Sequence, residues 1–224
     1  MKNILTTLAI AFTLIVTAQE PISKTVGEFT TLKVYDLINV EMIKSDINKV
    51  EISGKNAEEV VVANKNGTLK IKMNIEESYD GNDTQVKLYY TNVDVIDANE
   101  GAFISSQDII EQYDIELKTQ EGGEIKLNLK VKELDVKAVT GGVVEVSGTA
   151  NHENISINTG GIFKGKSLEA QLADVKIKAG GEVDVRAIEV LDIKITAGGD
   201  VFIYGQPKKI NKKRALGGRI KQME

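Results

Sequence analysis

The chain has 224 residues, 42% of them hydrophobic and 27% charged, with a formal net charge of −5; this composition supports a folded core and excludes a disordered chain. It has no Cys, which excludes disulfides, thiol nucleophiles and Cys-ligated metal centres. Its single His, His152, disfavours an imidazole-rich zinc site or a Ser-His-Asp triad, so we predict no catalytic residue, metal or cofactor.

The first 18 residues have the layout of a secretory signal peptide. Lys2 gives a basic start, an apolar run extends from Ile4 to Val16, and Ala18 is the small residue before the expected cleavage point. The apolar run is too short to span a bilayer, and no later stretch is long enough to do so. We therefore predict cleavage after Ala18, no transmembrane segment, and export to the periplasm, the cell surface or the extracellular space.

Residues 19–75 are rich in strand patterns. Phe29–Val40 and Leu69–Ile75 alternate apolar and polar residues, and Asn66-Gly67 is a strong signal for a hairpin turn. We predict a strand-rich cap that closes one end of a larger β structure, because the terminal units of repeat proteins are atypical. A separate small β domain is the alternative.

The rest of the chain is built on a repeat. Gly-Gly pairs recur every 18 to 20 residues, beginning at positions 122, 141, 160, 180, 198 and 217. Alternating apolar and polar residues before and after each pair are typical of strands. A unit of about 19 residues with two or three strands is typical of one coil of a parallel β-helix. We therefore predict an all-β solenoid whose coils occupy residues 76–205.

Equivalent positions of the coils predict the core. The position three after the first Gly of each pair is apolar throughout, as Ile125, Val144, Phe163, Val183, Val201 and Ile220. A second column contains Leu127, Val146, Val185 and Ile203 and is interrupted by Gly165. A third contains Leu117, Val136, Ile155, Val175 and Ile193. Because each coil stacks on the next, we expect all three columns to point into the solenoid.

We expect the glycine pairs at sharp turns, where the backbone needs a positive φ or approaches a neighbouring chain closely. Another position is acidic or amide-bearing in every coil, as Glu116, Asp135, Asn154, Asp174, Asp192 and Asn211. We interpret this column as turn residues whose side chains hydrogen-bond to their own backbone. A column of cation-binding carboxylates is the alternative.

Charge is sorted along the chain. Residues 76–124 carry thirteen acidic residues against Lys87 and Lys118, whereas residues 206–224 form a basic C-terminal coil with seven basic residues against Glu224. If the coils stack in chain order, the acidic segment is a belt near the middle. Three explanations stay open. The charges can serve solubility and prevent end-to-end polymerisation, or they can serve docking, either head-to-tail between the basic cap and the acidic belt of two copies or with a partner. The third explanation is cation binding by Asp94, Asp97, Glu100, Asp108, Glu111 and Asp114.

Nearly all of the chain resembles the bacterial head GIN domain family, whose members are often described as autotransporter adhesins. The resemblance rests on the signal peptide, on Phe29–Val34 leading into Val40–Ile43, on Leu69–Ile71, and on the serial glycine turns. It also rests on Ile203–Pro207 followed by Gly217–Ile220. The resemblance implies a right-handed single-stranded β-helix of the cell envelope and carries over no catalytic residue. The turns depart from the Gly-Ser-Gly common in the family, since Thr, Ala or Leu precedes most of the glycine pairs here.

We predict a non-enzymatic binding, adhesion or scaffold module that presents outward polar columns to an unknown protein or glycan of the envelope. No nucleic acid is expected, because the chain is acidic and predicted to be exported, and a homo-oligomer is left open. The alternative is a polysaccharide-active β-helix enzyme that uses the acids of residues 76–124. Ligand-binding residues stay unknown at this stage.

Three smaller features have structural interpretations. Asp184 and Arg186 are interpreted as an exposed ion pair and His152 as an exposed turn residue. Tyr89-Tyr90 are interpreted as one outward and one inward ring.

Overall fold

The computed structural model describes residues 20–223, which form an all-β solenoid of about seven turns with the predicted spacing of about 19 residues. The predicted signal peptide lies outside these residues. Among residues 20–223 the only helical segment is a 3-10 turn at Ala57–Glu59, and no helix there is long and apolar enough to cross a membrane. The seventeen strands, β1 to β17, are Ile22–Thr25, Thr31–Val34, Asn39–Lys44, Lys49–Gly54, Val60–Lys65, Thr68–Met73, Thr84–Tyr90, Val95–Ala98, Phe103–Glu111, Asp114–Thr119, Glu124–Val139, Val143–Asn158, Ile162–Ala179, Glu182–Ala197, Asp200–Tyr204, Lys209–Leu216 and Arg219–Gln222.

Each regular coil has two faces joined by a bend. In β11, side chains alternate inward and outward until Lys132 and Glu133, which follow one another on the outer side before Leu134 turns inward again. We call the stacked strands before this bend face A. It consists of β3, β7, β9, β15, β17 and the first halves of β11–β14. Face B is built by β2, β6, β8, β10, β16 and the second halves of β11–β14.

The predicted core columns are confirmed by the parallel register. Ile125 pairs with Val144 and Val144 with Phe163, and the first column is fully buried from Ile125 to Val201. Gly165 interrupts the second column because the Phe163 ring already occupies the space, and a Cβ on Gly165 would lie 2.7 Å from Phe163 Cζ. Each buried branched or aromatic side chain stabilises the fold by about 1.5–3 kcal/mol, so the columns are the main source of stability.

The glycine pairs lie at turns, as predicted. Gly180 has a φ of +64° with open space around it, so the backbone conformation alone requires glycine there. Gly181 has a φ of +121°, and a Cβ there would lie 2.5 Å from the backbone oxygen of Gly161 and closer still to Ile157. One pair therefore shows both anticipated reasons, a positive φ and a close approach.

The column of Asp, Asn and Glu residues does not lie at a turn. Asp135, Asn154 and Asp174 are register partners in the second halves of long strands, and they point outward from face B. The backbone of these residues pairs with neighbouring strands, so their side chains have no turn of their own to satisfy. The interpretation of this column as turn residues is wrong.

The coils do not stack in chain order at the N-terminal end. β2 lies between β6 and β8, and β3 lies between β7 and β9. After β1, the chain therefore forms the second coil with β2 and β3, continues outward through β4 and β5 to the outermost coil β6–β7, and then crosses to β8 and β9. Because of this crossing, the acids of residues 76–124 lie on both sides of the β2–β3 coil and form no single belt.

The two ends of the solenoid differ. On the outer side of the β6–β7 coil, β4 pairs antiparallel with β7, β5 with β6, and β1 with β4. The boundary predicted at residue 75 between cap and coils stays a prediction. At the other end the third core column passes from Ile193 to Lys212, which is exposed. A charge at an inward position of an edge strand disfavours pairing with a further strand.

Candidate functional site

A single file of lysines runs along the outer side of face B. Seven of its nine positions are lysine, and in stacking order the register partners are Lys70, Lys33, Asp97, Lys118, Lys137, Ser156, Lys176, Lys194 and Lys213. We call this column the lysine ladder. Its rungs repeat about every 4.8 Å, the distance between neighbouring strands.

The column of Glu116, Asp135, Asn154, Asp174, Asp192 and Asn211 runs beside the ladder, two residues earlier on each strand. We call it the acidic column. Because residues two apart point to the same side of a strand, both columns face outward and border one shallow groove. Two depressions of about 320 Å³ and 290 Å³ lie along it, the first from Asp135 to Lys176 and the second from Asp174 to Lys213.

Ion pairs join the two columns at one end of the groove. Glu116 of the acidic column contacts Lys118 at 2.7 Å and Lys137 of the next coil at 2.6 Å. Within the ladder itself, Asp97 contacts Lys33 at 2.9 Å. Burial raises the pKa of Glu116, but the hydrogen bonds from Lys118 and Lys137 outweigh it, and the net pKa lies below its ordinary value. Among residues 20–223, Lys176, Lys194 and Lys213 form no ion pair with a carboxylate.

His152 lies within β12 and is half-buried, so the interpretation as an exposed turn residue is wrong. Its Nδ1 lies 3.1 Å from Glu133 Oε2, and its Nε2 lies 2.9 Å from Asp174 Oδ2. Since carboxylates only accept hydrogen bonds when ionised, both contacts are hydrogen bonds at once only when both ring nitrogens carry protons. His152 therefore links three successive coils beside the groove.

Glu153 is the most unusual carboxyl group of the solenoid. It follows His152 on the opposite side of β12, points into the core, and is 0% exposed. Neither carboxyl oxygen has a hydrogen-bond partner among residues 20–223. Burial raises the pKa of Glu153 well above its ordinary value, so the neutral acid is the form favoured in the core.

The acidic segment does not assemble a cation site. The candidate residues are distributed over β8, β9, β10 and the connections from β7 to β10; they are Asp94, Asp97, Glu100, Asp108, Glu111 and Asp114. Within residues 20–223, no three His, Asp or Glu side chains are close enough together to hold a metal ion. Two of the six are instead paired with lysines, Asp97 with Lys33 and Glu111 with Lys130.

Two further sequence interpretations have different outcomes. Asp184 and Arg186 form no ion pair in the part of the chain that the structure describes; Arg186 Nε donates instead to the backbone oxygen of Lys166 at 2.8 Å. Tyr90 is buried and Tyr89 points outward, as predicted. The Tyr89 hydroxyl donates to Glu51 at 3.1 Å, with the Lys49 ammonium 4.5 Å from the ring centroid.

Comparison with known families matches residues 28–207 to the family described as "Putative auto-transporter adhesin, head GIN domain". The chain belongs to the head GIN domain family. The resemblance in the sequence is thereby confirmed. Among curated proteins, none matches this head GIN domain chain.

Solved structures show the same fold at low sequence identity. A crystal structure named "putative adhesin" from Bacteroides fragilis has a TM-score of 0.83 and 17% identity, covering 91% of this chain and 96% of that one. A second "putative adhesin", from Parabacteroides distasonis, has a TM-score of 0.74, 16% identity, and 91% and 96% coverage. A "putative lipid binding protein" from the same species has a TM-score of 0.63, 16% identity, and 90% and 97% coverage. At these identities the similarity shows the fold of the head GIN domain.

Sequence reasoning found the acidic column but missed the ladder beside it. Lys137, Lys176, Lys194 and Lys213 each lie two residues after an acidic-column member, so this half of the ladder was visible in the repeat. Lys70 and Lys33 join the file only because β6 stacks outside β2, and chain order gives no sign of that stacking.

Proposed function

We propose that this head GIN domain protein is an exported, non-enzymatic binding module of the cell envelope, acting in adhesion or as a scaffold, that holds an elongated envelope polymer along face B. The observation that carries the proposal is the lysine ladder, which extends over nine stacked strands beside a groove bordered by the acidic column. The partner is a glycan or protein whose length matches a row of sites.

The ladder has an energetic cost in the free protein. Like charges directly opposite one another on neighbouring strands destabilise a sheet. Glu116 and Asp97 offset this cost for Lys118, Lys137 and Lys33, whereas Lys176, Lys194 and Lys213 lack an ion pair within residues 20–223. A polymer with oxygen atoms along the groove would give these ammonium groups acceptors, and its hydroxyl or amide groups could donate to the acidic column.

Repetition suits a long partner. All six strands of the acidic column offer a carboxylate or amide oxygen and five of them also offer a ladder ammonium, but an individual exposed contact of this kind contributes little. A polymer that contacts several coils at once turns the later contacts into intramolecular events, so weak sites add up to useful affinity. The continuous strand pairing from β10 to β16 keeps the sites in fixed register.

The shape of the groove supports binding over catalysis. The depressions are open to solvent, whereas acid–base and electrostatic catalysis gain most in sites from which water is excluded. The acids of residues 76–124, on which the alternative of a polysaccharide-active enzyme depends, are divided among both faces and the connecting turns. The signal-peptide pattern and the adhesin description of the family support an envelope location.

Cosedimentation tests the proposal. The chain without residues 1–18 is mixed with isolated cell envelopes, and separately with purified envelope polysaccharide and with envelope proteins, at low and high salt. We expect sedimentation with envelopes that weakens as salt rises, because the contacts are charged. Sedimentation no greater than that of an unrelated acidic protein contradicts the proposal. Release of new reducing ends from the polysaccharide would support the enzyme alternative instead.

A further inference from the structure

A second feature lies at the N-terminal end of the lysine ladder, where face B meets the N-terminal cap, and it shares the terminal rung Lys70 with the ladder. In the regular coils, two or three residues connect one long strand to the next, as in the turn from β13 to β14. Between β6 and β7 the corresponding connection is the ten-residue segment 74–83. We call this segment the cap loop. It is an addition to the repeat that the stacking of coils does not require.

The cap loop is held in place by hydrogen bonds. The buried Asp36 carboxylate accepts from the backbone N–H of Met73 at 3.0 Å and of Tyr79 at 3.3 Å, one through each oxygen. Asn74 Oδ1 accepts from the backbone N–H groups of Glu76 and Glu77 at 3.0 Å and 2.9 Å. A loop anchored at several points loses little conformational freedom when a ligand binds, which favours affinity.

Tyr79 has a backbone conformation that bulky residues rarely adopt. Its φ is +64°, in the left-handed region that favours glycine, while the residue is 61% exposed. The ring therefore contributes little to the core, although the backbone beneath it is strained. Strain of this kind in non-glycine residues is concentrated at ligand sites and active sites.

The cap loop closes one side of a pocket of about 320 Å³, which we call the cap pocket. Its aromatic and aliphatic lining comes from Tyr35, Tyr79 and Ile75, the last 89% exposed. Its polar lining comes from Lys70, Lys72 and Glu100. Burial, reinforced by the nearby Asp36 carboxylate, raises the pKa of Glu100. The volume is at the lower end of the range for small-molecule sites.

The charges around the cap pocket disfavour ligands of either net charge. Lys70 and Lys72 repel a cation, whereas Asp36 and Glu100 repel an anion. A sugar ring can hydrogen-bond to the lysine ammonium groups and to the carboxylates alike, because each hydroxyl both donates and accepts hydrogen bonds. The apolar face of the ring can pack against a tyrosine, which offers a large flat surface and a polar hydroxyl. We propose that the cap pocket is a binding site for one or two rings of a neutral glycan.

The test uses the chain without residues 1–18 and a panel of soluble neutral saccharides. The panel contains glucose, galactose, mannose, N-acetylglucosamine, cellobiose, lactose and N,N′-diacetylchitobiose, with glucosamine and glucuronate as charged comparators. Saturation-transfer NMR detects binding, and titration calorimetry gives the affinity. We expect at least one neutral saccharide to bind and to bind better than both charged comparators.

The variants Tyr79→Ala and Ile75→Ser assign the binding to the cap pocket. Tyr113→Ala is the matched control, because Tyr113 is 68% exposed and lies outside the pocket. We expect Tyr79→Ala to weaken binding about three- to tenfold, the loss expected for one aromatic stacking contact, and Ile75→Ser to weaken it less. Both side chains are exposed, so thermal unfolding should be unchanged and would reveal any misfolded variant.

Three outcomes overturn the proposal. They are no binding by any neutral saccharide of the panel, tighter binding of a charged comparator, and binding by Tyr79→Ala that equals that of Tyr113→Ala. Failure of the cap-pocket proposal is distinguishable from failure of the groove proposal, because neither Tyr79 nor Ile75 belongs to the lysine ladder or the acidic column.

Discussion

Lys137 donates a hydrogen bond to Glu116 across two neighbouring coils, with 2.6 Å between Nζ and Oε1. Lys118, on the same strand as Glu116, contacts the other oxygen at 2.7 Å. One carboxylate thus serves two successive rungs of the lysine ladder. The acidic column therefore stabilises the ladder here, whereas the rungs from Lys176 onward lack an ion pair among the residues described.

Replacing Glu116 tests this relationship. We expect Glu116→Gln to lower the free energy of unfolding at pH 7 by less than about 1 kcal/mol, because Glu116 is partly exposed and solvent screens the pairs. Since its pKa is lowered in the folded state, the stabilisation is present above the ordinary pKa of a glutamate and is lost as pH falls through the folded-state value. Urea unfolding from pH 7 to pH 3 measures both effects.

The control is Glu111→Gln, because Glu111 is 66% exposed and pairs with a single exposed lysine, Lys130. Its effect at pH 7 should be close to zero, because an exposed ion pair contributes little to stability. Equal destabilisation by the two substitutions would contradict the assigned role of Glu116.

Glu153 should destabilise the folded protein at neutral pH. Its carboxyl group is fully buried without a hydrogen-bond partner among residues 20–223, which costs about 1–3 kcal/mol even when neutral. We expect Glu153→Leu to raise the free energy of unfolding at pH 7 by at least that amount. Glu169→Leu, at an exposed position, should change it by less than about 0.5 kcal/mol.

The buried carboxyl group of Glu153 should also make the stability of the folded protein depend on pH. In the unfolded chain Glu153 ionises near 4.5, whereas burial raises its pKa in the folded state. The unfolded state therefore releases the proton first, and the contribution of Glu153 to stability falls as pH rises above 4.5 toward the folded-state pKa. Thermal unfolding measured from pH 4.5 to pH 8 should show this decline in the wild type and a smaller one in Glu153→Leu. Parallel curves would contradict the assignment.

The glycine turns give a prediction about two adjacent residues. Gly180→Val should cost more than about 1 kcal/mol, the penalty of a side chain in the left-handed region. Gly181→Val should cost more than Gly180→Val, since a Cβ there also meets the backbone oxygen of Gly161 at 2.5 Å. Urea unfolding compares both with Ala179→Val at the exposed strand end. A neutral Gly180→Val would show that the turn does not depend on a positive φ.

The repeat made the regular part of the fold predictable. The position of Val144 follows from its offset to Gly141, because every coil repeats the same alternation and each inward column must be apolar. Glu153 could not be found this way. Its neighbours Asn151, His152 and Asn154 are all polar, so the local pattern suggested a turn, while the pairing of β12 with β11 and β13 turns Glu153 inward.

The arrangement of the N-terminal coils was also beyond the sequence. Lys33 and Lys118 are separated by many residues but are joined in the ladder through Asp97. Between β3 and β6 the chain forms β4 and β5, which pair antiparallel with the outermost coil. Such pairing depends on contacts between distant segments, which alternation within each strand does not specify.

The central claim is that face B is the binding surface, and a matched pair of triple variants tests it most directly. The first replaces Lys176, Lys194 and Lys213 of the ladder with Gln, and the second replaces Lys87, Lys166 and Lys221 of face A with Gln. Both remove three positive charges from exposed positions, so their net charge is the same. Cosedimentation with isolated cell envelopes is measured for both and for the wild type. The account predicts that the ladder variant loses most of its sedimentation while the face A variant retains it; equal sedimentation of the two would contradict it.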